Sequence, residues 1–371
     1  MSWALPLLAW LFLQAPAAPP PEALRLIEEG RAREAVPLLE EAARKAPDSA
    51  AIHFHLGFAL SEAGEDQRAI AAFRRVLEID PELRPAQLNL AHLLIRSGQP
   101  AEALPLLEAC LKEQPEDPKA AFLLGRVLSA TGQWRAAAEA FGKAAQKQPD
   151  DFDTAMTLAQ AWEKAGEKQK AAAVYARFPN EPAALERLGV LELEAGDLDN
   201  SIRHLEAVRS KSPSPAVLYA LATAYLRHNQ PEQSAAIASA LVQQEPDNLD
   251  LRLFYGRLLR DQKKYAEAAP QFQQAVRLAP RSGEAWNELT AVLMLLKQYD
   301  PALAALERAR ELNGPSPAYD YFRATMLDAT NQPKAALESY LRFLATSNGA
   351  HPDEEFKARQ RVKILEKAVR R

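Results

Sequence analysis

Cysteine is nearly absent: Cys110 is the one thiol in 371 residues. A single thiol permits neither an internal disulfide nor a cysteine metal cluster. Basic residues are not in excess, since 45 Lys and Arg face 49 Asp and Glu, for a net charge of −4 and a pI near 6.0. That balance argues against a strongly basic footprint, so no nucleic-acid partner is expected. The apolar run Trp3–Leu13 is eleven residues long, short of the roughly 20 that span a bilayer. The six histidines are scattered without ligand spacing. His53 and His55, two apart on a helix, point to different faces. Neither a phosphate-loop glycine pattern nor a G-x-S-x-G nucleophile elbow occurs. The chain therefore reads as a non-enzyme, with no catalytic residue, metal site, cofactor or small-molecule substrate expected.

What the chain does have is a period. Gly30, Gly64, Gly98, Gly132 and Gly166 are 34 residues apart, and Pro47, Pro81, Pro115 and Pro149 keep the same step. So do Ala35, Ala69, Ala103, Ala137 and Ala171. Three residue types sharing one period define a repeat array. Within Ala50–Pro81, Leu56, Leu60 and Ala63 form one run at helical spacing, and Ala69, Ile70, Phe73, Val76 and Leu77 form a second. Gly64, between them, supplies the left-handed residue of a helix C-cap. Gly57 lies mid-helix, where glycine costs about 1 kcal/mol against alanine, so close packing of a neighbour is expected there. Pro81 stops the second helix. Such a hairpin has an apolar face it cannot bury alone, which makes stacking on its neighbours obligatory. The expected fold is an all-α solenoid of about ten stacked hairpins.

Small residues at Gly57 and Ala69, aromatic Phe73 and terminal Pro81, at these offsets, resemble the tetratricopeptide repeat. The resemblance runs through almost all of the chain after the first twenty residues. It implies a right-handed superhelix whose concave groove, lined by the first helix of each hairpin, binds a peptide or partner protein. It thus implies a protein-protein interaction scaffold. A second role that family members take is accessory subunit of an envelope or polysaccharide assembly enzyme complex.

In chain order, residues 1–18 stand outside the array. Ala15-Pro16-Ala17 offers a small-x-small cleavage site after the apolar run, although no Lys or Arg precedes it. This reads as a signal peptide, with export to the periplasm or the extracellular space; a membrane anchor is the alternative if it stays uncleaved. Residues 19–178 form a first array. Its period then shortens once, Gly196 following Gly166 by 30 residues, and Phe178-Pro179-Asn180-Glu181-Pro182 interrupts a second helix. That helix is expected to lose about one turn and to mark a kink or boundary. A second array, 179–351, replaces the turn glycine by Asn229, Lys263, Lys297 and Asn331. Asparagine tolerates left-handed backbone, whereas the two lysine turns are expected to take another geometry. Pro37, Pro105 and Pro270 share one offset and read as early-turn prolines. Residues 352–371 read as a capping helix with a polar outer face, burying Ala358, Val362, Leu365 and Val369.

In the family geometry, residues one, four, five and eight places after each unit start face the groove. In the first array these include Phe54, Phe58, Leu88, Asn89, His92, Lys119, Phe122, Arg126, Met156 and Gln160; in the second, Tyr219, Arg257, Arg260, Asn287 and Tyr321. Aromatic residues and arginine dominate binding hot spots, so Phe54, Phe58 and Phe122 are expected to lead. Sealing adjacent first helices together is the other role open to them. Arg257 and Arg260 suggest a basic spot for an anionic segment. The family's carboxylate clamp is not expected. Asn89 and Lys119 match two of its offsets, but Phe54, Phe58 and Leu123 stand where Lys, Asn and a basic residue belong.

Overall fold

The computed structural model describes residues 17–370, among which there are twenty-one helices and no strand. The expected signal segment, 1–18, lies outside them apart from Ala17 and Ala18. The chain forms two compact units that divide between Ala184 and Leu185. Unit 1 contains five hairpins: α1 (Pro21–Glu28) with α2 (Ala32–Lys45), α3 (Ala50–Glu62) with α4 (Asp66–Ile79), and α5 (Arg84–Arg96) with α6 (Pro100–Glu113). These are followed by α7 (Pro118–Ala130) with α8 (Trp134–Lys147) and α9 (Phe152–Lys164) with α10 (Lys168–Tyr175). Unit 2 begins in the first turn of α11 (Pro182–Ala195), which pairs with α12 (Leu198–Lys211). It continues with α13 (Pro215–Arg227) and α14 (Pro231–Gln244), then α15 (Leu249–Asp261) and α16 (Tyr265–Leu278). The last hairpins are α17 (Gly283–Leu295) with α18 (Tyr299–Asn313) and α19 (Pro317–Ala329) with α20 (Pro333–Thr346), followed by the single helix α21 (Pro352–Val369).

Helix starts follow from capping side chains that satisfy orphan N–H groups. Asp117 accepts from the N–H of Lys119 at 2.8 Å, and Ser49, Ser214, Asn248 and Ser282 act likewise. First helices end in a six-to-one turn: past Gly64 (φ +82°), Glu65 N–H donates to the Leu60 carbonyl at 2.8 Å. The lysine turns correct the expectation of a different geometry. Lys263 and Lys297 take φ of +61° and +58°, and Lys264 and Gln298 close the same bond to Leu259 and Leu293 at 2.9 Å. The hydrogen-bond pattern of the turn overrides the residue's own preference.

The hairpins close through one crossing. A Cβ added at Gly57 would come 3.0 Å from the Phe73 ring; at Gly125 it would come 2.6 Å from Phe141, and at Gly256 2.6 Å from Phe272. The mid-helix glycines thus exist to admit a ring from the second helix. Where the second helix has Ser201 or Ser234 in place of alanine, its hydroxyl donates to the carbonyl of Gly189 or Ala222 at 2.7 Å, which satisfies the buried group. Successive first helices also touch directly, α3 to α5, α5 to α7 and α15 to α17.

Three further expectations need correction. Pro37, Pro105 and Pro270 sit at the sixth helical position, a full turn deeper than a first-turn proline. All three are exposed, so the carbonyl deprived of its bond faces water. Helix α10 has 8 residues against 14 in α8, a loss of six and not of one turn. The outer face of α21 is not purely polar: Ala358, Val362 and Leu365 are buried, but Phe356 and Ile364 are 65% and 52% exposed.

Two substitutions test this account by denaturant unfolding. Lys263→Gly removes a left-handed penalty of about 1–2 kcal/mol and gives back about 0.5–1 kcal/mol of backbone entropy. A net gain of roughly 0.5–1 kcal/mol is therefore expected. Gly125→Ala pushes a methyl into the Phe141 ring and is expected to cost about 1–3 kcal/mol.

Candidate functional site

In unit 1 the first-helix faces build a concavity of about 470 Å³. Leu88, Asn89 and His92 come from α5, Lys119, Phe122, Leu123 and Arg126 from α7, and Asp153 and Thr154 from α9. Six of the sequence candidates thus meet in one cleft. They meet because two consecutive hairpins, those of α5 and α7, present the same helical offsets to one side. Phe122 is half-buried and leans on Phe141 with ring centroids 5.2 Å apart, so it forms both wall and core. Lys119 and Arg126 are in no ion pair among the described residues, which leaves their charges directed at the cleft. Crowding around the ring, then the nearby Arg126 and Arg96 guanidinium groups, hold His92 below the usual histidine pKa. At the rim, Arg84 bonds Asp117 and Gln114. Burial acts to raise the Asp117 pKa, but that bond and the N–H groups of Lys119 and Ala120 outweigh it and hold the carboxyl below its ordinary range.

The remaining candidates in unit 1 lie elsewhere. Phe54 packs edge-on against Phe73, centroids 5.6 Å apart, on the flank of the core. Its contact is with the second helix of its own hairpin, and it does not line the cleft. Phe58 is 38% exposed. Met156 is half-buried, while Gln160 lines a separate shallow hollow with Arg126, Trp134 and Thr157.

In unit 2, Asn287 lines a second concavity, described below. Tyr219 is exposed, its ring 5.5 Å from that of Phe254. Tyr321 packs 5.1 Å from the Phe343 ring, as part of the last core cluster. The basic spot at Arg257 and Arg260 is neutralised. Arg257 bonds Glu288 at 2.6 Å and also Glu284, and Arg260 bonds Glu288 and Asp261. These carboxylates occupy the first and fifth places of the next unit, so the period itself could have revealed them.

Cys110, His53 and His55 are engaged within the framework of unit 1. Cys110 is buried with its Sγ 3.0 Å from Gln87 Oε1, and burial raises its pKa, which makes it a poor nucleophile. His53 and His55 bond backbone carbonyls of Pro47 and Ala51 at 3.0 and 2.8 Å. No group of three or more metal-ligating side chains exists among the described residues.

Stacked helical hairpins with binding candidates on the first-helix faces define a helical repeat protein. Tetratricopeptide-repeat family models match residues 26–90, 94–139 and 259–326, and a second such model matches 122–182, 172–215 and 219–289. The chain belongs to the tetratricopeptide-repeat family. The TPR repeat-containing protein YpiA of Bacillus subtilis (strain 168) is 24% identical over 161 residues, 43% of this chain and 38% of YpiA. The chain therefore matches well under half the length of that relative. Among solved structures, MamA from Desulfovibrio magneticus RS-1 is 28% identical, covering 42% of this chain and 88% of that one with a TM-score of 0.41. A tetratricopeptide repeat protein from Parabacteroides merdae ATCC 43184 is 14% identical over 67% of this chain and 98% of its own, with a TM-score of 0.43.

The electrostatics of the cleft set a pH dependence. A depressed histidine pKa means that the native state prefers neutral His92, so its contribution to stability is lost as pH falls below 6.5, the unfolded value. The native cleft gains positive charge only at lower pH, once His92 passes its own depressed pKa. Acidification below 6.5 is therefore expected to lower stability slightly at first and to strengthen binding of an acidic ligand only further down, and His92→Gln should abolish both effects in parallel titrations.

Proposed function

We propose that the chain is a non-catalytic interaction scaffold whose unit 1 cleft receives a segment of a partner protein. The observation that carries this reading is the convergence of Leu88, Asn89, His92, Lys119, Phe122 and Arg126 on one concavity. Its chemistry narrows the ligand. Lys119 and Arg126, which are in no ion pair among the described residues, favour an acidic side chain on their side of a cleft that Asp151 and Asp153 also line, and Leu88, Phe122 and Leu123 favour an apolar one beside it. Asn89 adds an amide able to donate to or accept from a peptide group.

Residues 1–18 belong to the same proposal as an export signal. In the folded chain the carbonyl of Ala17 accepts from Ser49 Oγ at 2.6 Å, a bond that cleavage after Ala17 would remove. N-terminal sequencing of the mature protein is expected to start at Ala18; a first residue of Met1 would contradict cleavage.

Charge reversal is the cleanest test of the cleft, because Phe122 also packs on the core and its truncation would change stability as well as the cleft. A peptide array pairing Asp or Glu with Leu or Phe should yield binders whose affinity falls with added salt. Lys119→Glu with Arg126→Glu is expected to weaken them by about tenfold or more, or ~1.4 kcal/mol. The melting curve should stay unchanged. Undiminished binding by that double variant would refute the assignment.

A further inference from the structure

Unit 2 has a concavity of about 550 Å³ among α17, α18 and α19 whose chemistry is the reverse of the unit 1 cleft. No Asp, Glu, Lys, Arg or His lines it. Met294, Leu295, Leu306 and Phe322 make its walls, and Ala291, eight places after the unit start, leaves its centre open. Leu295 and Phe322 are 47% and 42% exposed, an unusual condition for large apolar side chains that face each other across a hollow.

Polar groups are confined to one edge, where they are ordered. The Asn313 amide donates to the Tyr319 hydroxyl at 2.8 Å, and that hydroxyl donates to Asn287 Oδ1 at 3.1 Å. Asn313 reaches this place because Gly283 has no side chain: a Cβ there would fall 1.9 Å from Asn313 Oδ1. The chain of bonds engages the acceptor of Asn287 and leaves its two N–H groups to donate into the pocket mouth.

We infer that this pocket binds an uncharged stretch of a partner polypeptide, with one Leu, Met or Phe side chain inserted and an adjacent backbone carbonyl accepting from Asn287. A charged residue would be desolvated here with no counter-charge, which is strongly unfavourable. The size and the apolar lining with a few fixed polar groups are those of a preformed ligand site. The Asn287 amide at the rim, its oxygen already engaged by Tyr319, matches a peptide carbonyl, which supplies an acceptor without a charge. The inference rests on the reading of first-helix faces as polypeptide-binding surfaces, and it assigns unit 2 a specificity independent of the unit 1 cleft.

The test titrates the full chain into a short, end-capped peptide of Gly, Ser and Gln with a central para-fluorophenylalanine, followed by fluorine NMR. The expected result is a shifted and broadened resonance that an unlabelled Leu-centred peptide reverses and an Asp- or Lys-centred one does not. Ala291→Trp, which fills the pocket, should weaken binding about tenfold or more. Asn287→Leu, which keeps the apolar walls, should weaken it as well, with helical content unchanged. Equal competition by the Asp-centred peptide, no perturbation at millimolar concentrations, or full binding by Ala291→Trp would overturn the proposal. Undiminished binding by Asn287→Leu would do so too, since the pocket would then take any apolar small molecule. Lys119→Glu with Arg126→Glu must leave this titration unaltered; a loss there would place the peptide in unit 1. Failure here with acidic peptides still bound in unit 1 leaves the scaffold reading standing.

Discussion

Each hairpin in this chain has an apolar face that nothing within the hairpin can cover, and the rest of the structure answers to that constraint. Cover comes from neighbours stacked at a fixed spacing, and the spacing is set where a small residue on the first helix admits a large one from the second. Gly57 under Phe73, Gly125 under Phe141 and Gly256 under Phe272 are one solution. Ser201 and Ser234 are another, with a hydroxyl bonded to the opposite backbone. The chemistry varies while the approach of the two helices does not. Interiors packed to crystal-like density have no slack at such a crossing. The turns, caps and helix lengths then serve to bring each crossing into register with the next.

The same constraint separates structural from functional residues. Positions consumed by the crossing cannot also face a ligand, and those on the opposite side of the first helix are freer to do so, although Phe54 and Phe122 also pack on the core from there. Places four, five and eight of a unit hold Leu88, Asn89 and His92 in one hairpin and Asn287, Glu288 and Ala291 in another. One backbone arrangement thereby supports a charged cleft in unit 1, where Lys119 and Arg126 stand beside Asp151 and Asp153, and an uncharged pocket in unit 2. Aromatic identity is a poorer guide than position. Phe54 holds a groove-facing offset yet turns its ring onto Phe73, because a large ring beside an open core edge gains more by burial than by exposure.

Much of this was legible in the sequence. The period gave the hairpins, the glycines at Gly64 and its equivalents gave the turns, and the place-counting gathered six residues that do share a cleft. What escaped was whatever depends on a partner outside the repeat unit. Lysine at positions 263 and 297 looks wrong for left-handed backbone when judged alone, but the six-to-one hydrogen bond and the stacking behind it impose the conformation. Arg257 and Arg260 look free until the next hairpin's Glu284 and Glu288 are placed one period later. The unit 2 pocket draws Asn313 and Ser316 from a helix end and its connection. The only sequence signals there were the irregular Gly314-Pro315-Ser316-Pro317 and a glycine opening α17.

The two surfaces also differ in how they can generate selectivity. In the unit 1 cleft, Lys119 and Arg126 remain partly hydrated, so each exposed ion pair with a ligand is worth about 0–1 kcal/mol and is screened by salt. Charge there acts mainly by guiding encounter and penalising a wrong partner. In the unit 2 pocket the gain comes from removing apolar area from water, at about 25 cal/mol per Å², and salt hardly touches it. Burial of one side chain supplies affinity but discriminates weakly among apolar residues, since a methylene more or less changes binding by only about 1–3 kcal/mol. On the proposed reading, the Asn287 amide compensates for that weakness: a bound ligand that cannot present a carbonyl would cover its N–H groups and leave them unmatched. On these proposals, charge in one unit and exclusion of charge in the other would recognise different features of a partner.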